Sequence, residues 1–142
     1  ARRYPLDCCF SMFKQLFAQG QEFTYGLKEA GSYYSSYVKL MHHWEKVLPG
    51  KILRVNNEDV ISDLDGQVKR ILEFLDLPFE EECISFYETN RSVRTASSEQ
   101  VRKPINKDGM GRWKPYAKYL KPLLNVLDED LLKPEDIAYI RR

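Results

Sequence analysis

One short segment constrains the fold of this chain more than any other, because it is the clearest candidate for a buried strand. Residues 51–55, with the sequence KILRV, form a brief apolar run rich in branched side chains, and Pro49-Gly50 separates it from the helical pattern before it. One strand cannot form a sheet. A second strand is expected to end just before Arg3, so the sequence predicts part of a layered α/β structure with a parallel sheet.

Two helical patterns precede this strand. The first predicted helix begins near Pro5 and ends before Gly20, and its apolar face comprises Leu6, Cys9, Phe10, Phe13 and Phe17. The second ends at Pro49, and its expected buried stripe comprises Tyr33, Tyr37, Leu40, Trp44 and Val47. Both patterns predict helices that pack one face against a core.

Weaker helical patterns follow the strand. A third helix is expected to end before Pro78, with a stripe made by Val68, Ile71, Leu72 and Leu75. Residues 80–87 fit one short helix, and residues 90–112 are expected to form an ordered loop with little regular structure. A last helix is predicted from Trp113, limited in regularity by Pro115 and Pro122, with the stripe Tyr116, Leu120, Leu123 and Leu127.

The length of 142 residues fits one domain with a core of its own, and 43% hydrophobic with 30% charged residues is typical of a soluble globular protein. Residues 1–127 are expected to belong to the folded domain. Residues 128–142 are expected to be a charged C-terminal tail with one helical turn after Pro134.

Positive charge is concentrated in one segment, although the net charge of the chain is only +1. Residues 91–121 hold nine Lys or Arg and two Asp or Glu, a local charge of +7. Such a segment suits the binding of an anion. On charge alone, a solvated basic surface is an equally good interpretation.

Cysteine usage indicates the cytoplasm. The three cysteines make an odd count, and the adjacent Cys8 and Cys9 are poor disulfide partners, so reduced thiols are expected. The sequence shows no signal peptide and no apolar run near the length that spans a membrane. The chain starts at Ala1 on a polar sequence, which suggests an internal cut in a longer protein, although processing or cloning would give the same start.

The sequence indicates neither a metal site nor a hydrolytic triad. His42 and His43 are adjacent on a predicted helix, so their side chains point about 100° apart and cannot bind one metal from one face. No C-x-x-C and no G-x-S-x-G occurs. We therefore expect no metal cofactor, and the modest net charge indicates no nucleic-acid partner.

The start of the first helix is a candidate anion site. Arg3 lies at the helix N-terminus, where backbone N–H groups and the helix dipole favour an anion. Its guanidinium adds a planar fork of donors that matches phosphate oxygens, and Ser11 can offer a hydroxyl from the same helix. Taken alone, an exposed Arg and a surface Ser are the simpler interpretation.

A second candidate site lies in the basic loop that follows. Its candidate residues are Ser97, Ser98, Gln100, Val101, Arg102, Lys103, Pro104, Asn106 and Arg112. Hydroxyls, amides and cations in this order can surround a phosphate and the edges of a ribose or base, and Gly109 and Gly111 permit close backbone approach. The alternative is that the apolar residues Val101, Pro104, Ile105 and Trp113 merely pin the loop to the core, and both interpretations can hold together.

Together the two sites resemble those of sulfotransferases that use 3′-phosphoadenosine 5′-phosphosulfate (PAPS). The pattern R-x-P-x-D-x-x-x-S at residues 3–11 is similar to the family's 3′-phosphate-binding segment. The stretch QVRKPIN at residues 100–106, with Arg112-Trp113 after it, resembles the nucleotide loop of the branch that includes tyrosylprotein sulfotransferases and bacterial sulfotransferases with tetratricopeptide repeats. Between them, W-x-x-V-L-P-G, an N-E-D step where relatives have Y-E-D, and F-L-x-L-P follow in the family's order, so the resemblance covers roughly residues 1–120.

The resemblance implies a P-loop-kinase-like fold, a parallel sheet with flanking helices, of which this chain would form a mostly helical C-terminal part. It implies that Arg3 and Ser11 hold the 3′-phosphate, that the candidate residues from Ser97 to Asn106 line the nucleotide, and that Arg112 contacts the cofactor. Ser97 falls where the tyrosylprotein branch has a serine near the transferred sulfate, so it would steady the transition state.

Several features of the family's pattern are absent or changed. Gln15 stands where the branch has another phosphate-binding Arg, and Asn57 replaces the Tyr that precedes the Glu of Y-E-D. The 5′-phosphosulfate loop, the acidic catalytic base and the cation for the leaving phosphate are not found between residues 1 and 142. This chain alone is therefore expected to be inactive, and an N-terminal remainder of the same protein would supply them.

The sequence thus predicts a sulfotransferase that moves a sulfuryl group from PAPS to the hydroxyl or amine of a small-molecule or peptide acceptor, without nucleic acid or membrane as partner. Two alternatives stay open. A nucleotide-binding module that has lost its chemistry would bind the desulfated nucleotide (PAP) without transfer. A helical protein-interaction domain, whose basic loop meets an acidic partner, would bind neither nucleotide.

Overall fold

The computed structural model describes residues 1–17, 19–89, 92, 99 and 101–142. The chain divides into two compact units. The larger unit comprises Arg3–Ile52 and Gly109–Arg142, and the smaller unit comprises Ala1–Arg2 and Leu53–Asp108. Six α-helices lie in the described residues: α1 (Pro5–Lys14), α2 (Leu27–Val47), α3 (Asn57–Ser62), α4 (Leu64–Phe74), α5 (Lys121–Leu124) and α6 (Pro134–Arg141).

Helix α1 opens the larger unit. It begins at Pro5, where the missing N–H costs nothing, and Asp7 places a carboxylate in the first turn. Three of the predicted apolar residues, Leu6, Cys9 and Phe10, are buried. The helix ends at Lys14, short of the predicted stop, because the backbone turns to an extended conformation at the next residue.

Helix α2 forms as predicted, but the face expected to be buried is largely exposed. Tyr33, Leu40 and Val47 are 55%, 48% and 50% exposed. The buried face instead comprises Ala30, Gly31, Tyr34, Ser35 and Val38. Small residues on this face let the C-terminal part of the unit approach closely, and the Ser35 hydroxyl donates a hydrogen bond of 2.9 Å to the carbonyl of Val126. Periodicity of large apolar residues therefore indicated the wrong side of the helix.

The C-terminal segment completes the core of the larger unit. Trp113 is 1% exposed and precedes a 3₁₀ helix, Lys114–Tyr119, which is followed directly by α5. Pro115 and Pro122 stand at the starts of these two short elements, as the sequence led us to expect of an irregular last helix. The buried apolar residues are Leu6, Cys9, Phe10, Ala30, Tyr34, Val38, Trp113, Ala117, Leu120, Leu123, Leu127, Leu132 and Ile140.

Residues 128–142 are folded and contribute to this core. A 3₁₀ turn, Glu129–Leu131, leads into α6, which is eight residues long and so exceeds the single turn expected after Pro134. Ile140 is 1% exposed and belongs to the same buried cluster as Leu6. Residues of this C-terminal segment therefore lie within reach of the start of α1.

The smaller unit contains α3, α4 and two 3₁₀ turns, Glu81–Cys83 and Phe86–Glu88, where one short helix was predicted over residues 80–87. The Asp63 carboxylate caps α4 by accepting a hydrogen bond of 3.0 Å from the N–H of Gly66. None of the described residues of this unit is fully buried, including the predicted stripe of α4.

The predicted strand over residues 51–55 does not form in the described part of the chain, where a single parallel bridge joins Arg2 to Asn56. The N–H of Arg2 donates to the carbonyl of Val55, and the N–H of Asn57 donates to the carbonyl of Arg2, both at 2.7 Å. A strand needs several consecutive pairings with a neighbouring segment, and this bridge is isolated among the described residues. The pairing is parallel, as expected, but the described residues form no sheet.

Close packing at Gly31 yields a test of the larger unit. A Cβ at this position would lie 2.6 Å from Val126 Cγ2 and 2.7 Å from Leu123 Cδ1, closer than such atoms can stand. Gly31→Ala is therefore expected to lower the free energy of unfolding by about 1–2 kcal/mol, despite the better helix propensity of alanine. Urea denaturation measures this, with Ser36→Ala on the exposed side of α2 as the control. Equal stability of the two variants would contradict the packing described.

Candidate functional site

Arg3 is the centre of the candidate site in the larger unit. Its guanidinium Nη2 donates a hydrogen bond to the carbonyl of Gly109, 106 residues away in sequence. Its own carbonyl accepts a hydrogen bond of 2.7 Å from the Tyr34 hydroxyl on α2. The backbone and the side chain of Arg3 are thus held separately, which restricts where the guanidinium can lie.

Gly109 permits the approach of Arg3. A Cβ at this position would lie 3.0 Å from Arg3 Nη2 and 3.7 Å from Arg3 Cζ, so a side chain here would crowd the guanidinium where it reaches the carbonyl. The sequence predicted close backbone approach at this glycine. The structure shows that the approaching group is the side chain of Arg3.

The next residue, Tyr4, connects the start of α1 to α6. Its hydroxyl donates to Asp136 Oδ2 at 2.7 Å and accepts from the backbone N–H of Lys133 at 3.1 Å. The Lys133 ammonium lies over the Tyr4 ring, 5.6 Å from its centroid. The Tyr4 hydroxyl therefore meets one donor and one acceptor, both from the C-terminal segment.

The environment keeps the Tyr4 hydroxyl protonated. Burial raises the pKa of Tyr4 well above its ordinary value of 10.0, and the hydrogen bond to Asp136 adds to the rise. Because the pKa is raised in the folded state, the resulting stabilisation is fully present below about pH 10 and is lost only in stronger alkali. At neutral pH, Tyr4 is a permanent donor to Asp136.

The other predicted residues of the larger unit lie near the surface. Ser11 is exposed on α1, off the buried face, as expected. Arg112 is exposed in the turn before the 3₁₀ helix Lys114–Tyr119, next to Gly111, whose φ of 70° is a conformation that favours glycine. Gln15, which stands where the resembling branch has an Arg, is exposed just after α1. Its side-chain amide donates a hydrogen bond to the neighbouring carbonyl of Leu16.

The remaining predicted residues fall in the smaller unit or outside the described residues. Arg102, Lys103, Pro104 and Asn106 are exposed, and Val101 is half-buried. The Asn106 side chain accepts a hydrogen bond of 3.0 Å from the N–H of Asp108, which shapes a local turn. Ser97, Ser98 and Gln100 lie outside the described residues.

Sequence patterns missed three residues of the arrangement around Arg3. Tyr34 is not in the predicted stripe of α2, yet a tyrosine hydroxyl that becomes buried needs a hydrogen-bond partner, and this rule was a usable signal. Tyr4 and Asp136 are 132 residues apart and belong to no shared motif. Nothing in the sequence predicts that they meet.

Groups that could support other chemistry are few in the described chain. Burial raises the pKa of the Cys9 thiol far above its ordinary value, and its sulfur faces the carbonyl of Ala30 at 3.7 Å, so it behaves as a core residue. No three His, Cys, Asp or Glu side chains among the described residues are grouped as metal ligands. None of the described helices combines the length and the apolar character needed to cross a membrane.

Comparison with known proteins identifies the family. A profile described as "Sulfotransferase family" matches residues 1–81, more than half of the chain. The chain belongs to the sulfotransferase family. It is also 33% identical over 138 residues to an "Uncharacterized protein" of Aquifex aeolicus (strain VF5), in an alignment that covers 95% of this chain and 18% of the relative. The chain thus spans less than a fifth of that relative's length.

The matched part of the chain includes α1 to α4, and with them Arg3, Tyr4, Ser11 and Tyr34. Gly109, Arg112 and α6 lie beyond the profile match. Family membership implies a P-loop-like fold, and the described residues of this chain are mostly helical.

The hydrogen bond from Tyr34 to Arg3 is expected to stabilise the larger unit. Tyr34→Phe removes the hydroxyl and leaves the Arg3 carbonyl without that donor, which should lower the free energy of unfolding by about 0.5–1.5 kcal/mol. Tyr25→Phe is the control, because its hydroxyl bonds the carbonyl of Phe17 at an exposed site. Urea denaturation in which both variants match the wild type would contradict the role given to Tyr34.

Proposed function

We propose that this chain binds the 3′-phosphate and nucleoside end of PAPS in a sulfotransferase of the tyrosylprotein and bacterial tetratricopeptide-repeat branch. The observation that carries the proposal is the restrained guanidinium of Arg3 at the N-terminus of α1, in the sequence position of the family's 3′-phosphate-binding segment. The branch assignment rests on QVRKPIN at residues 100–106 and on Arg112-Trp113 after it.

The physical fit between this arrangement and a phosphate is good. The Arg3 guanidinium carries five N–H donors in a planar fork, more than one carbonyl can accept, so phosphate oxygens can share it with Gly109. The first turn of α1 adds backbone N–H groups and the positive end of the helix dipole. Ser11 offers a further hydroxyl from the same helix.

The basic loop supplies the remaining contacts in this proposal. Arg102, Lys103 and Asn106 are exposed, so their charges and amide are accessible to a nucleotide. Arg112 serves as a further cation, and Val101 and Pro104 offer apolar surface to the base. For the three residues outside the described chain, the resemblance supports contacts of Ser97, Ser98 and Gln100 with the nucleotide, and a place for Ser97 near the transferred sulfate.

In the proposed reaction, the acceptor hydroxyl or amine forms a bond to the sulfur of PAPS as the bond from sulfur to the bridging oxygen breaks. The acceptor loses a proton to a general base, and PAP leaves with the electron pair of the broken bond. The residues described here bind and orient the nucleotide, which is a positioning contribution to catalysis. The acceptor is a small molecule or a peptide, no metal is required, and an N-terminal remainder of the same protein would supply the base.

The proposed compartment is the cytoplasm. All three cysteines, Cys8, Cys9 and Cys83, are free thiols. Such usage is common where glutathione and thioredoxin keep thiols reduced.

Replacement of Arg3 tests the proposed function directly. Arg3→Ala should weaken PAP binding by about 1.5–3 kcal/mol, the usual size of a charge-assisted hydrogen bond, as measured by titration calorimetry. Lys39→Ala removes an equal charge from an exposed position of α2 and should leave the affinity unchanged. Adenosine 5′-monophosphate, which lacks the 3′-phosphate, should bind wild type and Arg3→Ala alike. PAP affinity that is equal in wild type and Arg3→Ala would remove Arg3 from the site.

Gly109 offers a second test that leaves every charge in place. The backbone of Gly109 does not adopt a left-handed conformation, so alanine is compatible with it, but the new Cβ would stand 3.0 Å from Arg3 Nη2 and displace the guanidinium. Gly109→Ala should therefore weaken PAP binding by about 1 kcal/mol. Met110→Ala, at an exposed neighbouring position, is the control. Calorimetry that finds the two variants indistinguishable would argue against a restrained Arg3.

A further inference from the structure

Tyr4, the residue that follows Arg3, is hydrogen-bonded to the C-terminal segment from Lys133 to Asp136. We infer that Tyr4 and Asp136 are positioning residues for the 3′-phosphate site, acting through Arg3. The inference rests on the proposed function, in which Arg3 binds the 3′-phosphate. It adds how the Arg3 side chain is oriented for that binding.

The first step is geometric. Arg3 and Tyr4 are consecutive, so fixing the Tyr4 side chain fixes the peptide that carries the Arg3 carbonyl. Tyr4 is bonded to Asp136 Oδ2 at 2.7 Å and to the N–H of Lys133 at 3.1 Å. The Arg3 carbonyl is in turn bonded to the Tyr34 hydroxyl. Both ends of one peptide unit are therefore attached to other helices, and the guanidinium extends from a fixed backbone.

The second step concerns the anchor. A tether positions its target only if its other end is itself fixed. Asp136 is 9% exposed in the first turn of α6, where the helix dipole favours a carboxylate. Further along the same helix, Ile140 is 1% exposed in the core of the larger unit. The carboxylate that accepts from Tyr4 is thus attached to a packed element.

The third step is chemical. Phenylalanine would fill the space of the Tyr4 ring, so packing alone does not require the hydroxyl. The hydroxyl is needed for its hydrogen bonds to Asp136 and Lys133, and removing it leaves the nearly buried carboxylate of Asp136 without this donor. A polar connection of this kind specifies direction more narrowly than apolar contact does, because hydrogen bonds weaken steeply as they bend.

Four variants of the 142-residue chain test the inference, each titrated with PAP by calorimetry. Tyr4→Phe and Asp136→Ala should each weaken PAP binding on the order of 5-fold, because the guanidinium is less well aimed. Asp136→Asn keeps an oxygen that accepts from Tyr4 and should retain nearly wild-type affinity. Tyr25→Phe, which removes a hydroxyl hydrogen bond elsewhere in the larger unit, should leave the affinity unchanged.

A double-variant comparison separates positioning from a general structural effect. If Tyr4 acts through Arg3, then Tyr4→Phe weakens PAP binding in the wild-type background and adds nothing in the Arg3→Ala background. A purely structural effect would weaken binding equally in both backgrounds. That result, or loss of affinity in Asp136→Asn equal to that in Asp136→Ala, would overturn the inference.

Failure of the inference and failure of the proposed function give different results. An affinity that falls in Arg3→Ala but is unchanged in Tyr4→Phe and Asp136→Ala overturns the inference alone. PAP binding that is undetectable in the wild type, or unaffected in Arg3→Ala, overturns the proposed function and the inference with it. If Asp136→Ala does not fold, Tyr4→Phe and Asp136→Asn still decide the question.

Discussion

The larger unit depends on the packing of its first chain segment, residues 3–52, against its last, residues 109–142. The two segments are separated by more than fifty residues that belong to the other unit, so their association must be strong enough to close a long loop. Leu123 and Trp113 from the last segment are buried with Leu6 and Phe10 from the first. This shared core holds Arg3 within reach of Gly109 and brings Tyr4 to α6, so the candidate site exists only while the two segments are packed together.

The polar contacts between these two segments contribute differently from the apolar ones. Burial of the core residues supplies most of the stabilising free energy, but it is not directional. The hydroxyls of Tyr34 and Tyr4 and the carbonyl of Gly109 determine the direction of the Arg3 backbone and side chain. A site that recognises the oxygens of a phosphate needs such direction, because bidentate hydrogen bonds are sensitive to geometry. The proposed 3′-phosphate site therefore rests on the family's motif at residues 3–11 together with this local arrangement.

Sequence patterns predicted where helices begin better than which side of a helix is buried. The starts of α1 and of the 3₁₀ helix after Trp113 were predictable, because proline and apolar spacing act locally. The buried face of α2 was not, because it is made of Ala30, Gly31 and Ser35, whose small side chains leave no hydrophobic period. The prediction of a strand at residues 51–55 was wrong for the described chain. A strand depends on a partner segment, and a local pattern does not show whether one is present.

By itself, the sequence determined the family, the helical content and the two candidate segments around Arg3 and Arg112, because motifs and periodicity are properties of neighbouring residues. Only the tertiary structure decided what holds Arg3. Gly109, Tyr34 and Asp136 reach it or its neighbour across separations of 31 to 132 residues. Such contacts form because core packing brings distant segments together, and local motifs do not predict which distant residues will meet.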